Sequence, residues 1–304
     1  MRYSDPMQIT PTRLTLGARV TDLDVSRPLN DAQVAQIIQA LGQHGVLEFP
    51  EQELSSAQLR QFSACFGELF VSPGGRAQDP EFPEVMILSN MVENGVALGL
   101  PDAGQSWHTD MSYMSMIALS NVLYGLRIPQ RDGRVLGATQ FRNMHAACAA
   151  LPAALRERLH GRFGIHDFNK FWDMMRARSG STRGPLSPEE RAKRPPSRHP
   201  LLLSHPITGR EVLYANPGYL VAIEGLAQDE SDALIEALFA HQMRDEFLYE
   251  FTWSPRSLLM WDNIGTIHNA VADYGPHEPR YIKRCQVMAT RFYGPSGTSH
   301  PLHP

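Results

Sequence analysis

Short apolar runs, alternating or continuous and bounded by glycine and proline, dominate this chain. Ala18–Asp24 alternates apolar and polar residues, which is the period of a half-buried strand. Asp31 is placed to cap an amphipathic helix over Ala32–Leu41, and Gly45–Phe49 follows as a short apolar strand. Ser55 or Ser56 opens a second helix, Ala57–Phe66, that stops at Gly67. Val85–Ser89 is a strand, and the glycine-rich stretch Glu93–Gly104 is loop. Met114–Ile128, rich in β-branched and aromatic residues, predicts a long strand with a bend. A turn at Arg131–Gly133 and a short strand around Thr139 come next. Asn143–Leu159 reads as helix interrupted by Pro152, which can begin a new helix at its first turn. Strands are expected at Phe163–Phe168, Leu201–Ser204 and Glu211–Tyr214, then a helix at Glu230–Gln242. Phe247–Trp253, Ser257–Trp261 and Arg280–Phe292 close the series as strands. Many successive strands with a few peripheral helices predict a mainly β fold with a jelly-roll core, a double-stranded β-helix. No internal repeat and no change of pattern marks a boundary, so residues 1–304 read as one domain.

Residues 170–200 break the pattern. They carry eight Lys or Arg against three acids, with five prolines between 185 and 200. The expectation is a mobile loop with at most one short helix. Its plain reading is a solvated surface loop; the sharper one is a lid whose cations meet an anionic substrate.

Composition adds mostly exclusions. Net charge is −4, with 42% hydrophobic and 20% charged residues, which favours neither nucleic-acid nor membrane-surface binding. The three cysteines, Cys65, Cys148 and Cys285, are widely spaced and form no CxxC pair, as expected of reduced thiols. Met1–Leu16 mixes charges and prolines, so no signal peptide is read there, and no apolar run reaches the roughly 18 residues of a membrane span. A cytoplasmic protein is the simplest expectation.

The chemistry concentrates in Trp107-His108-Thr109-Asp110 and in Trp261-Asp262-Asn263 through His268. With 12 histidines and acids at about a tenth of positions, about one HxD pair arises by chance. On an extended segment, however, residues i and i+2 share a face, so His108 and Asp110 can grip one ion while Thr109 points away. His268, on a strand brought alongside, would complete two imidazoles and a carboxylate. That facial set suits non-haem Fe(II) and leaves coordination positions open. Arg280 and Arg284 follow His268 by 12 and 16 residues. On a strand, Arg280, Ile282, Arg284 and Gln286 share one face. Guanidinium groups directed into a barrel are costly unless they meet anions, and their planar fork suits carboxylates. Two such arginines on the surface, or in salt bridges, would carry no such meaning.

These pieces resemble the taurine/chlorophenoxyacetate dioxygenase (TauD/TfdA) family of Fe(II)- and 2-oxoglutarate-dependent oxygenases. The matching segments are Phe66-Gly67-Glu68-Leu69, Trp107 to Asp110, Gly137-Ala138-Thr139-Gln140-Phe141, and Trp261 to His268 with Pro279-Arg280 and Arg284. They occur in family order from about residue 10 to 292. The resemblance implies Fe(II) on His108, Asp110 and His268. It implies 2-oxoglutarate on Thr139 and Arg280, with O2 as the second co-substrate. Ala138 departs from the family's usual Gly-Gly-Asp-Thr wording. Arg284 matches a second arginine that faces the substrate's acid or completes the 2-oxoglutarate pocket. Asp262 and Asn263 belong to a structural turn.

The implied reaction is hydroxylation of a substrate C–H with release of succinate and CO2. Because Asp110 is present, the halogenation seen where a small residue replaces it is disfavoured. Arg284 and the basic segment lean towards a small anionic substrate, a carboxylate or sulfonate. Asn90, Trp107, Tyr113, Phe171 and Trp172 are candidate pocket walls, each with ordinary packing as its alternative. Around Phe70-Val71-Ser72-Pro73 the His and Tyr of the taurine enzyme are missing, which speaks against taurine itself. Other readings are a biosynthetic hydroxylase or desaturase of an amino-acid derivative, or a non-catalytic 2-oxoglutarate-binding relative. Retention of triad, threonine and both arginines opposes the last. Relatives are commonly dimers or tetramers, so a homo-oligomer is expected.

Overall fold

Leu258–Asp262, the run Leu-Leu-Met-Trp-Asp, is buried at all five positions, which requires cover on both faces. It lies at the centre of the larger sheet in a computed structural model that describes residues 7–72, 77–178 and 184–294. The seven strands run in the order 8–11, 18–21, 46–49, 258–262, 118–127, 281–288 and 86–89. All neighbours are antiparallel except 18–21 beside 46–49. One face packs Leu47, Val122, Leu258 and Met260 against helices Asp31–His44 and Ser56–Ala64 through Ile37, Leu41, Leu59 and Phe62. The other face turns Leu123, Leu259, Trp261 and Ile282 towards Phe141, Tyr249 and Phe251 of a smaller sheet. That sheet has the order 248–251, 139–143, 266–270, and the Phe141 and Trp261 rings meet edge-on at 5.3 Å between the layers. The two facing sheets with peripheral helices are the expected jelly-roll core.

Local chemistry sets the boundaries. The first helix is capped by Asn30 in a box with Gln33, one residue before the expected Asp31, and the second by Ser55 with Gln58. Gly45 ends the first helix at φ 69°, where a Cβ would lie 2.5 Å from the Leu16 side chain. The long strand begins at Ala118, not Met114, because residues 111–114 are folded into a turn closed by Met114 N–H to Met111 C=O at 3.0 Å. The last strand stops at Met288 and gives way to a short helix at Thr290–Tyr293. Thr266–Ala270, the strand that carries His268, is too polar to stand out in the pattern.

The 170–200 segment corrects the loop expectation. It contains most of the helix Phe168–Arg176, a second helix Pro188–Ala192, and the strand Ser197–Pro200 paired with Phe163–His166. Pro188 starts a helix at its first turn behind a Ser187–Glu190 capping box and so does not break one. Many of the cations are already engaged. Arg176 and Arg191 pair with Asp173, Arg198 with Glu224, and Lys170 donates to the Leu220 carbonyl at 2.7 Å. Residues 179–183 lie outside the described residues. Among the described residues no helix is long and apolar enough to cross a membrane.

Burial depresses several imidazoles in the fold's interior. His145 and His199 are each lowered to about 4, and His166 is held well below its usual range, in every case chiefly by desolvation. In the unfolded chain these groups titrate near ~6.5. Between that value and about 4 the unfolded state binds more protons, so stability falls as pH falls. Urea midpoints should therefore decline from pH 6.5 to 4.5. His145→Gln should flatten that decline, and an unaltered slope in the variant would contradict the assignment.

Candidate active site

His108 and His268 form a single antiparallel bridge by exchanging both main-chain hydrogen bonds. His108 N–H donates to His268 C=O at 3.0 Å, and His268 N–H to His108 C=O at 2.7 Å. Directly opposed residues place their side chains on the same face, and the two rings lie 4.2 Å apart. Asp110, two residues on, brings Oδ1 to 3.4 Å from His108 Nε2. One ligand atom from each of His108, Asp110 and His268 lies within 4.8 Å of the others. His108 Nδ1 sits 2.6 Å from Ser106 C=O and so carries the ring proton, which leaves the Nε2 lone pair for a metal. Immediately after Asp110 the chain turns away through Met111 at φ 65°.

The tripeptide is held by side-chain amides. Asn263 accepts from Asp110 N–H at 3.1 Å through Oδ1 and donates to Asp110 C=O at 2.7 Å through Nδ2. The Thr109 hydroxyl donates to Asn263 C=O. Asn216 grips Thr109 in the same way, through its N–H at 3.3 Å and its C=O at 2.7 Å. Asn263 thus performs the structural role read from the sequence. Asn216 carried no signal there, because a lone asparagine marks no pattern.

Electrostatics favour a cation. Burial alone would raise the Asp110 carboxyl, but the Arg284 guanidinium beside it holds it well below the carboxylate range. His268 is kept neutral chiefly by burial. Two imidazoles and one carboxylate on one side fit a divalent first-row metal with open positions.

A small cavity adjoins His268 and is lined by Thr139, Trp261, Arg280 and Arg284. Arg280 is 5% exposed, and among the described residues no carboxylate lies within salt-bridge range of it; its neighbour is the Tyr274 ring at 5.7 Å. A guanidinium buried in that state is costly until an anion joins it. Thr139 Oγ1 accepts from the Trp253 indole N–H at 3.0 Å, so the hydroxyl proton is free to donate into the cavity. Trp253 was missed in the sequence because nothing there ties it to Thr139.

Of the expected walls, Phe171 stacks beside His108 at 5.5 Å and on Tyr219 at 5.1 Å, and Tyr113 packs on Tyr219 at 4.9 Å. The others are displaced. Asn90 donates to Gly275 and Glu278 C=O and accepts from Arg280 N–H, so it anchors the loop ahead of Arg280 and has no free amide for a substrate. Trp107 alternates away from His108 and stacks under Arg142 at 4.8 Å. Trp172 packs on Phe168, and its indole donates to Gly184 C=O.

A second group of the same composition, His145, His205 and Asp262, lies buried behind the turn. His205 Nδ1 accepts main-chain N–H from Ile207 and Thr208, so its proton resides on Nε2, 3.0 Å from Asp262 Oδ2. A nitrogen that carries a proton offers no lone pair to a metal. This is an internal polar pair that stiffens the Trp-Asp-Asn turn.

Residues 8–286 match the family described as Taurine catabolism dioxygenase TauD, TfdA family. The chain belongs to the TauD/TfdA family. This TauD/TfdA chain is 31% identical over 298 residues to pentalenolactone F synthase of Streptomyces avermitilis, covering 94% of each. It is 29% identical to the alpha-ketoglutarate-dependent 2,4-dichlorophenoxyacetate dioxygenase of Cupriavidus pinatubonensis, covering 85% of this chain and 90% of the relative. A solved taurine dioxygenase from Burkholderia xenovorans superposes with TM-score 0.74 at 31% identity, over 93% of this chain and 90% of that one. As a TauD/TfdA member the protein is a 2-oxoglutarate-dependent non-haem iron dioxygenase that uses Fe(II), 2-oxoglutarate and O2.

Trp253→Phe should leave Fe(II) binding intact and raise KM for 2-oxoglutarate about fivefold, the equivalent of one net hydrogen bond of ~1 kcal/mol. Steady-state kinetics check this, and an unchanged KM refutes the role of the indole.

Proposed function

We propose that His108, Asp110 and His268 hold the iron, Thr139 and Arg280 hold 2-oxoglutarate, and Arg284 receives the acid group of a small carboxylate or sulfonate substrate that is hydroxylated at C–H. When bound, the iron and 2-oxoglutarate supply O2 activation through oxidative decarboxylation to succinate and CO2. The chain's part is placement. Arg280, deep in the cavity and short of an anion, binds the distal carboxylate of the co-substrate, with the Thr139 hydroxyl beside it. Phe171, Tyr219 and Tyr113 form an apolar wall beside His108 that orients the substrate body and excludes water. The helix Phe168–Arg176 carries Phe171 and is the covering element of the site.

The observation that carries the substrate class is the situation of Arg284. Its Nη1 lies 3.2 Å from Asp110 Oδ2, while Nη2 rests at 3.2 Å on the Met86 thioether, a weak acceptor. It borders both the cavity beside His268 and a second one lined by Phe70, Met86 and Gln286. An oxyanion is a far better partner for Nη2 than sulfur. The 2,4-dichlorophenoxyacetate relative is named for a substrate of this kind. The biosynthetic alternative has the pentalenolactone F synthase relative in its favour. Mass analysis separates hydroxylation from desaturation as gain of one oxygen or loss of two hydrogens.

Anaerobic addition of Fe(II) and 2-oxoglutarate should produce a visible charge-transfer band that His268→Ala abolishes; a band surviving that change would refute the ligand set. In a succinate-release screen of carboxylates, sulfonates, sulfate esters and aryloxy acids, Arg284→Ala should raise KM for the accepted anion by about 10–100-fold, the worth of a charged hydrogen bond. Fe(II) affinity should change much less, and equal loss of both would sink the assignment.

A further inference from the structure

Asp110 has two carboxylate oxygens, and only Oδ1 faces His108. Oδ2 is turned to the strand 281–288, where Gln286 Nε2 donates to it at 2.9 Å. The same Nε2 donates to Asn121 Oδ1 at 3.1 Å. Asn121 Nδ2 donates in turn to Asn263 Oδ1 at 3.1 Å, and that oxygen also accepts Asp110 N–H. The bonds therefore run in a closed ring from the Asp110 amide to its own carboxylate, through three amide side chains of which none exceeds 4% exposure.

The ring has one orientation only. A main-chain N–H is always a donor, so Asn263 must present oxygen to Asp110. Asn121 must then present its NH2 to Asn263, and its oxygen to Gln286. Gln286 is left with its NH2 towards both Asn121 and Asp110 Oδ2. Flipping any of the three amides sets oxygen against oxygen or NH2 against NH2, each in a site sealed from water. The orientation of the Gln286 amide is thus fixed by the chain.

We propose that Gln286 is a positioning residue that holds Asp110 as a one-oxygen ligand, with Oδ1 aimed at the metal and Oδ2 kept occupied. The proposal rests on His108, Asp110 and His268 being the metal set. Arg284 also touches Oδ2, but it must serve the substrate's acid as well; Gln286 has no such second duty. The ring keeps the carboxylate in place when Arg284 turns to an anion, and prevents Asp110 from swinging to two-oxygen ligation that would fill a position the reaction needs. Gln286 shares its strand face with Arg284, so one strand supplies both the fixed and the exchangeable partner of the carboxylate.

The test is anaerobic titration of the metal-free full-length protein with Mn(II) and Fe(II), alongside thermal melting of the metal-free form. Gln286→Leu should weaken metal affinity by about 10–100-fold, as loss of a ligand's supporting partner does. In an Asp110→Ala background the same substitution should cause no further loss, because the coupling passes through that carboxylate. Asn121→Ser, which opens the ring one link further away, should weaken binding in the same direction by less, and serves if Gln286→Leu fails to fold. A lowered melting temperature with metal affinity within threefold of the parent would reduce Gln286 to a packing residue and overturn the proposal. Loss of metal binding in His268→Ala with none in Gln286→Leu defeats this inference alone. Unchanged binding in His268→Ala defeats the metal assignment itself.

Discussion

The exchange of two main-chain hydrogen bonds between His108 and His268 is the contact on which the site depends. It sets two imidazoles side by side without any side chain having to choose a partner. The period of an extended chain then places Asp110 on the same face, and the asparagines on either side stop the tripeptide from slipping. Metal chemistry thus depends first on backbone register, and only then on ligand identity. A shift of one residue in that bridge would exchange His108 for Thr109 and leave no site.

Charge in the interior is arranged by the same economy. One buried and one half-buried guanidinium group share a layer of the barrel with one carboxylate, and the two arginines are not equivalent. Arg284 is partly neutralised by Asp110, while Arg280 lies in the buried cavity beside Tyr274, with no carboxylate in salt-bridge range among the described residues. That imbalance is unfavourable in the empty protein and favourable once a dianion arrives. In the proposed assignment, the asymmetry between the arginines is what separates the co-substrate pocket from the substrate pocket.

The parts of this arrangement that follow a period were legible in the sequence. His108 and Asp110 two apart, and Arg280, Arg284 and Gln286 at even spacing, could be placed on common faces before any fold was known. The jelly-roll followed from the succession of short apolar runs. What escaped were contacts made across the fold by residues with no pattern of their own. Trp253 meets Thr139 from 114 positions away, and Asn216 reaches Thr109 from 107. Asn90 and Trp107 lie close in sequence to the right elements but turn to other partners, one to a loop backbone and the other to Arg142. The 170–200 segment misled for a different reason: Pro188 and its capping serine are helix-starting signals that resemble a loop when charge and proline content are read alone.

The two proposed histidine ligands are separated by 160 positions, yet meet through a single bridge. His268 is synthesised 160 residues after His108, and the strand that bears it is paired to a segment made long before. An incomplete chain offers iron only the adjacent pair His108 and Asp110, a weak and open grip. With the proposed ligand set, metal capture is an event of mature topology, coming after the slow, long-range pairing of strands. On that ligand set, iron would be gripped by all three donors only once the walls around them are built.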